Sequence, residues 1–103
     1  MAKHIDKVAL RGEIIRLAEQ SRDLIAASVH NGFGKDETER DYLLSGACFL
    51  PHIARENSFT AVKEALALTK RADSQLHRRW IALADKVAKA YGVGSLMVVR
   101  RAA

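Results

Sequence analysis

The sequence contains one cysteine, one proline and only six aromatic residues in 103. The lone Cys48 excludes an intramolecular disulfide, and the scarcity of aromatic side chains predicts a core of Ala, Leu, Ile and Val. No stretch approaches the roughly 18 apolar residues of a membrane span, and the charged beginning has no apolar signal-peptide core. We therefore expect a soluble, cytoplasmic protein that folds as a single domain over residues 1–103.

Acidic residues are scarce in the second half of the chain. Residues 1–57 hold eight Lys or Arg against nine Asp or Glu, whereas residues 58–103 hold nine against three. The two parts carry −1 and +6, so nearly all of the net charge of +5 belongs to the second. A one-sided basic surface is typical of proteins that bind polyanions or acidic partners, and it also occurs on the solvated face of an ordinary helix.

Apolar residues recur at three- and four-residue steps, which predicts amphipathic helices. The first helix covers about residues 4–30 and ends at the glycine-containing break at residues 31–34. The second begins with acidic residues that favour the positive end of a helix dipole, and Pro51 interrupts it. These acidic residues are Asp36, Glu37, Glu39 and Asp41. Because residues 42–50 are nearly all apolar, we expect this helix to be buried on most sides, with Cys48 inside.

The third helix, residues 58–91, carries the charge asymmetry. We expect its apolar side to form the core with that of the first helix, through Phe59, Leu66, Leu76, Trp80 and Leu83 on one and Leu10, Ile14, Leu17 and Leu24 on the other. Thr69 and Asp73 occupy positions at which the helical repeat predicts apolar residues. Asp73 either caps a new helix that begins near Ser74, pairs with an arginine of the first helix, or forms a polar notch that binds a ligand or fixes the register of a dimer.

These segments predict an all-α fold, an up-and-down helical bundle of two long helices and one shorter kinked helix. Three helices, one of them short, leave apolar surface uncovered. We therefore expect a homodimer that completes a larger bundle.

Arg71 and His77 stand six residues apart on the basic third helix, a spacing that resembles the nuclease motif of the HEPN ribonucleases. The resemblance covers these two positions, and the residue after the arginine, commonly polar in that family, is Ala72 here. It implies a small helical-bundle dimer in which the histidine acts as general acid or base and the arginine stabilises a phosphate.

The basic residues of the second half are the candidate binding site. They are Lys70, Arg71, Arg78, Arg79, Lys86, Lys89, Arg100 and Arg101. We expect a non-enzymatic module that binds nucleic acid with little sequence preference. The alternative is an interaction subunit or inhibitor whose basic face binds an acidic protein partner. A third interpretation is that the basic face is only solvated. The spacing of Cys48 and His52 would suit a metal, but a second pair of ligands is not evident, so we expect no metal or other cofactor.

Overall fold

The computed structural model describes residues 6–92, which form four helices. These are α1 (Lys7–His30), α2 (Glu37–Glu56), α3 (Ser58–Ala72) and α4 (Ser74–Tyr91). The predicted all-α class is confirmed, whereas the predicted count of three helices is wrong. None of the helices in these residues is long and apolar enough to cross a membrane.

The additional helix arises because the predicted third helix breaks at Asp73. The backbone of Asp73 is extended, with φ −161° and ψ 113°, which ends α3. Its carboxylate Oδ1 accepts hydrogen bonds from the backbone N–H groups of Gln75 and Leu76, at 2.9 and 3.0 Å. These N–H groups would otherwise lack a partner in the first turn of α4. Of the three alternatives that the sequence left open for Asp73, the structure shows the first, the cap of a new helix at Ser74.

Removing this cap should destabilise the fold. We expect Asp73→Ala to lower the free energy of unfolding by about 0.5–2 kcal/mol, because two backbone donors lose their acceptor. Urea denaturation followed by circular dichroism measures the change. The matched control is Asp85→Ala, which removes only an exposed ion pair with Lys89 on α4 and should cost less than about 0.5 kcal/mol. Equal losses for the two variants would contradict the capping role.

The other helix boundaries also follow from local side chains. Asp6 caps α1 through the N–H groups of Val8 and Ala9, and Asn57 both ends α2 and caps α3 through the N–H of Thr60. Pro51, expected to interrupt the second helix, lies inside α2, which continues to Glu56. Gly92 ends α4 with a left-handed φ of 73°, the conformation that glycine adopts without strain.

Consecutive helices run antiparallel, and α1 is also antiparallel to α4. The Nε1 of Trp80 donates to Ser21 Oγ at 2.9 Å, and Lys86 Nζ lies 3.1 Å from Glu13 Oε1. Residue numbers therefore rise along α4 as they fall along α1. The four helices enclose a core of aliphatic side chains around Trp80, which is fully buried.

Most of the predicted core residues are buried. Seven of the nine are at most 6% exposed: Leu10, Ile14, Leu17, Leu66, Leu76, Trp80 and Leu83. Leu24 was wrongly placed in the core and is 48% exposed, because the buried stripe of α1 passes through Ser21 to Ile25 instead. Phe59 is half-buried, with its ring edge against Tyr91 at 4.9 Å between centroids.

The fourth helix removes the reason for expecting a dimer. That expectation was based on three helices that would leave their apolar stripes uncovered. With α4 in the same chain, the stripes of α1, α3 and α4 are buried within one copy. Dimerisation stays a prediction, and the apolar side chains that are still exposed lie mainly on other faces.

Candidate interaction surfaces

The break at Asp73 divides the predicted basic face between two helices. Lys70 and Arg71 lie in the last turn of α3, while Arg78, Arg79, Lys86 and Lys89 lie on α4. Arg100 and Arg101 lie outside the described residues. The sequence predicted one continuous helix for the six of these residues that precede Gly92. The structure instead places two of them on α3 and four on α4.

Several of these basic side chains reach acceptors on the acidic half of the chain. Arg71 pairs with Glu39 of α2, and Lys86 pairs with Glu13 of α1. The Nη2 of Arg79 donates to Gln20 Oε1 of α1 at 2.7 Å. Lys89 pairs with Asp85, one turn earlier on α4, at 3.1 Å. Of the predicted basic residues within 6–92, Lys70, Arg78 and Arg79 are exposed and make no ion pair.

The charge asymmetry of the sequence is largely balanced inside the bundle. Residues 6–92 hold fourteen Lys or Arg against twelve Asp or Glu, which gives a net charge of +2. Lys3, Arg100 and Arg101 supply the remaining three positive charges of the total +5. The two halves of the chain, −1 and +6, thus pack against each other with opposite charges in contact, which sequence order alone does not reveal.

An open groove of about 710 Å³ separates α1 from α4 and is lined mostly by charged side chains. Arg16, Arg22, Arg79 and Lys86 alternate there with Glu13, Glu19 and Asp23. The hydrogen bond from Arg22 to Asp23 raises the pKa of the guanidinium. Because cations and carboxylates are mixed along this groove, it lacks the single-sign potential that attracts a polyanion.

Arg71 and His77, the HEPN-like pair, hold different contacts. Arg71 is directed to Glu39, whereas His77 Nδ1 lies 3.2 Å from Thr69 Oγ1. The Thr69 hydroxyl donates its proton to Ala65 O at 2.7 Å, so Nδ1 of His77 must be the donor in the other contact. The hydroxyl group of the buried Thr69 therefore has hydrogen-bond partners on both α3 and α4. Arg71 and His77 thus both make contacts within the fold.

A second groove, of about 410 Å³, lies between α2 and α3 and is mainly apolar. Its lining residues are Tyr42, Ser45, Gly46, Phe49, Ile53, Glu64 and Leu68. Tyr42 is 52% exposed and Phe49 is 62% exposed. A Cβ added to Gly46 would lie 2.9 Å from Leu68 Cδ1, so the glycine lets α3 approach α2 closely and forms the floor of the groove. We call these seven residues the α2–α3 groove.

This groove corrects two predictions about the second helix. Residues 42–50 are not buried on most sides, because Leu43, Ala47 and Leu50 face the core while Tyr42 and Phe49 face outward. Cys48, expected inside, is exposed, since it is offset by one residue from the buried stripe that Ala47 occupies. The signal that could have shown this is the second apolar stripe, Tyr42, Gly46, Phe49 and Ile53, at helical spacing.

The α2–α3 groove has one carboxylate in its lining and further acidic residues near its Tyr42 end. This end coincides with the first turns of α2, where Asp36 caps the helix through the N–H of Glu39 and the predicted acidic cluster is confirmed at the helix start. The Glu39 carboxylate forms an ion pair with Arg71 and accepts a hydrogen bond from the backbone N–H of Lys35. Glu37 and Asp41 are exposed, and Glu64 contributes a further carboxylate to the groove wall. The α2–α3 groove is therefore mainly apolar, with the Glu64 carboxylate in its wall and Asp41 next to Tyr42 at its end.

Among residues 6–92, no three His, Cys, Asp or Glu side chains are close enough together to hold a metal ion. No protein-family model, curated protein or solved structure matches the chain.

Proposed function

We propose that this chain is a non-enzymatic protein-interaction module that binds a short apolar segment flanked by Lys or Arg in the α2–α3 groove. The observation that supports it is the pair of exposed aromatic side chains, Tyr42 and Phe49, over an apolar floor. Removal of apolar surface from water is the dominant favourable term in most protein–protein association. Aromatic side chains beside a pocket are also the usual anchors of protein interfaces.

The size of the groove favours a segment over a second folded copy. Tyr42 and Ile53 are eleven residues apart on α2, which corresponds to about 16 Å at 1.5 Å per residue. Seven residues line the groove, whereas a stable interface between folded proteins uses about 20–30 residues on each side. A length of about 16 Å accommodates five extended residues or three helical turns.

The charge of the rim favours a cationic partner segment. Glu64 lies in the groove wall, and the exposed Asp41 directly precedes Tyr42 on α2. Opposite charges at a rim steer association and select among partners, and like charges there are costly. This differs from the acidic protein partner expected from the sequence, since Arg78, Arg79, Lys86 and Lys89 lie on α4 and Arg71 is paired with Glu39.

Nucleic-acid binding through the basic residues has less support than it had from the sequence. Arg71 and Lys86 hold carboxylates of the same chain, and a phosphate would have to compete with these partners. Of the predicted basic residues, Lys70, Arg78 and Arg79 make no ion pair within residues 6–92, and Arg100 and Arg101 lie outside the described residues. We therefore treat nucleic-acid binding as an alternative outcome of the same experiment.

The direct test is fluorescence polarisation with labelled peptides. One peptide carries four Leu or Ile residues followed by two arginines, and the control carries the same apolar residues followed by two glutamates. We expect the arginine peptide to bind at least about tenfold more tightly, because its charges oppose those of the rim.

DNA and RNA oligonucleotides are measured alongside the peptides at low and moderate salt. Equal affinity for both peptides would contradict the proposal. Oligonucleotide binding that weakens steeply with salt, with no peptide binding, would instead support the basic residues as the functional surface.

A further inference from the structure

The sequence that follows α4 has the chemistry that the α2–α3 groove selects. After Gly92 the chain reads Val-Gly-Ser-Leu-Met-Val-Val-Arg-Arg, in which the four apolar residues 96–99 precede Arg100 and Arg101. We infer that this segment, residues 95–101, docks in the α2–α3 groove of its own chain. The inference rests on the proposed function, because it names an occupant for the same surface.

The position of Gly92 brings this segment to one end of the groove. Tyr91, the last residue of α4, contacts Phe59 in the first turn of α3, with 4.9 Å between ring centroids. Phe59 follows directly on the α2–α3 junction at Asn57, four residues beyond Ile53. The chain therefore leaves α4 at the end of the bundle where Ile53 lies, opposite to the Tyr42 end.

The reach of the segment matches the path it must cover. Eight residue steps separate Gly92 from Arg100, which span about 26–29 Å when extended. Passing from α4 across α3 requires about 10 Å, the distance between packed helix axes. The groove itself adds about 16 Å at 1.5 Å per residue of α2. An extended chain can therefore place residues 96–99 along the groove and Arg100 at its far end.

The charges agree with the same direction of docking. A segment that enters beside Ile53 runs toward Tyr42, so Arg100 and Arg101 arrive at the first turns of α2. Asp41 is exposed there, one residue before Tyr42, while Glu39 is already paired with Arg71. One placement thus covers Phe49 and Tyr42 with apolar residues and brings the two arginines to the end of α2 that carries Asp41.

Such docking makes the groove self-regulated. A tethered segment competes at an effective concentration in the millimolar range for a short flexible connection. A partner segment of the same apolar and basic chemistry must displace it, so access to the groove depends on how tightly residues 95–101 bind. Strong partners then gain access to the groove and weak ones do not.

Cys48 provides a site for the first test in the intact 103-residue chain. It is the only cysteine and is exposed on α2 next to Phe49. A nitroxide attached to Cys48 should strongly broaden the amide NMR signals of residues 96–99. The double variant Leu96→Asp/Val98→Asp should lose this broadening, whereas Ala102→Asp, which adds a charge beyond the segment, should retain it.

Two results of this measurement would overturn the inference. The first is an absence of broadening in the wild-type chain. The second is broadening that persists when isotope-labelled chains without the nitroxide are mixed with unlabelled chains that carry it, because the contact would then be between copies.

The second test separates this inference from the proposed function. If the segment competes, the arginine peptide should bind the Leu96→Asp/Val98→Asp variant at least about tenfold more tightly than the wild type. Equal binding to both chains would overturn the inference and leave the proposed function intact. Failure to bind either chain would overturn the proposed function.

Discussion

Replacing Trp80 with alanine should destabilise the protein by about 3–5 kcal/mol. Trp80 is fully buried and is the largest such side chain in the core. Its Nε1 donates to Ser21 Oγ at 2.9 Å, which links α4 to α1 in the interior of the bundle. The loss includes both the apolar contacts and the cavity that remains, and it is a large part of the roughly 5–15 kcal/mol that stabilises a typical domain.

Urea denaturation at equilibrium measures this effect. Ser21→Ala serves as the control, because it removes the acceptor and leaves the indole in place. It should cost about 1–3 kcal/mol, the usual penalty for a buried donor left without a partner. A loss below about 1 kcal/mol for Trp80→Ala would contradict the burial of this residue and the packing of α4 on α1.

Replacing Phe49 with alanine should weaken binding of the arginine peptide by at least about 30-fold. Loss of an aromatic anchor at the centre of an interface costs about 2 kcal/mol or more, and 1.4 kcal/mol corresponds to a factor of ten. Phe49 is 62% exposed, so its replacement should change the free energy of unfolding by less than about 0.5 kcal/mol.

The matched control for Phe49→Ala is Val8→Ala. Val8 is also apolar and is 82% exposed, but it lies in the first turn of α1, away from the groove residues. Fluorescence polarisation should give the same affinity for Val8→Ala as for the wild type. Equal weakening by the two substitutions, or none by Phe49→Ala, would contradict the assignment of the α2–α3 groove as the binding surface.

The helices could be predicted from the sequence because their signals are local. Apolar spacing marks the stripes of α1 and α4, and Asp73 interrupts the repeat at the point where it caps α4. The backbone conformation of Asp73 alone decides whether residues 58–91 form one helix or two. The sequence allowed several interpretations of this residue. Leu24 and Cys48 were misplaced because each lies next to a buried position on its helix, a difference of about 100°.

The candidate surface could be predicted only in part, because it depends on contacts between helices. Glu39 and Arg71 are 32 positions apart in sequence, and only the packing of α2 on α3 brings their charges together. The basic residues were therefore assigned to an external partner when several of them meet acceptors of the same chain. The groove needs the close approach at Gly46 and Leu68, which no periodicity in either helix alone indicates.

The most direct measurement is the mapping of NMR chemical shifts in the isotope-labelled chain as the arginine peptide is added. If the α2–α3 groove binds apolar segments with flanking positive charge, the largest shift changes should occur at Tyr42, Phe49, Ile53 and Leu68. The α1–α4 groove should change little at Glu13 or Lys86. Shift changes centred on the α1–α4 groove, or none at saturating peptide, would contradict binding in the α2–α3 groove.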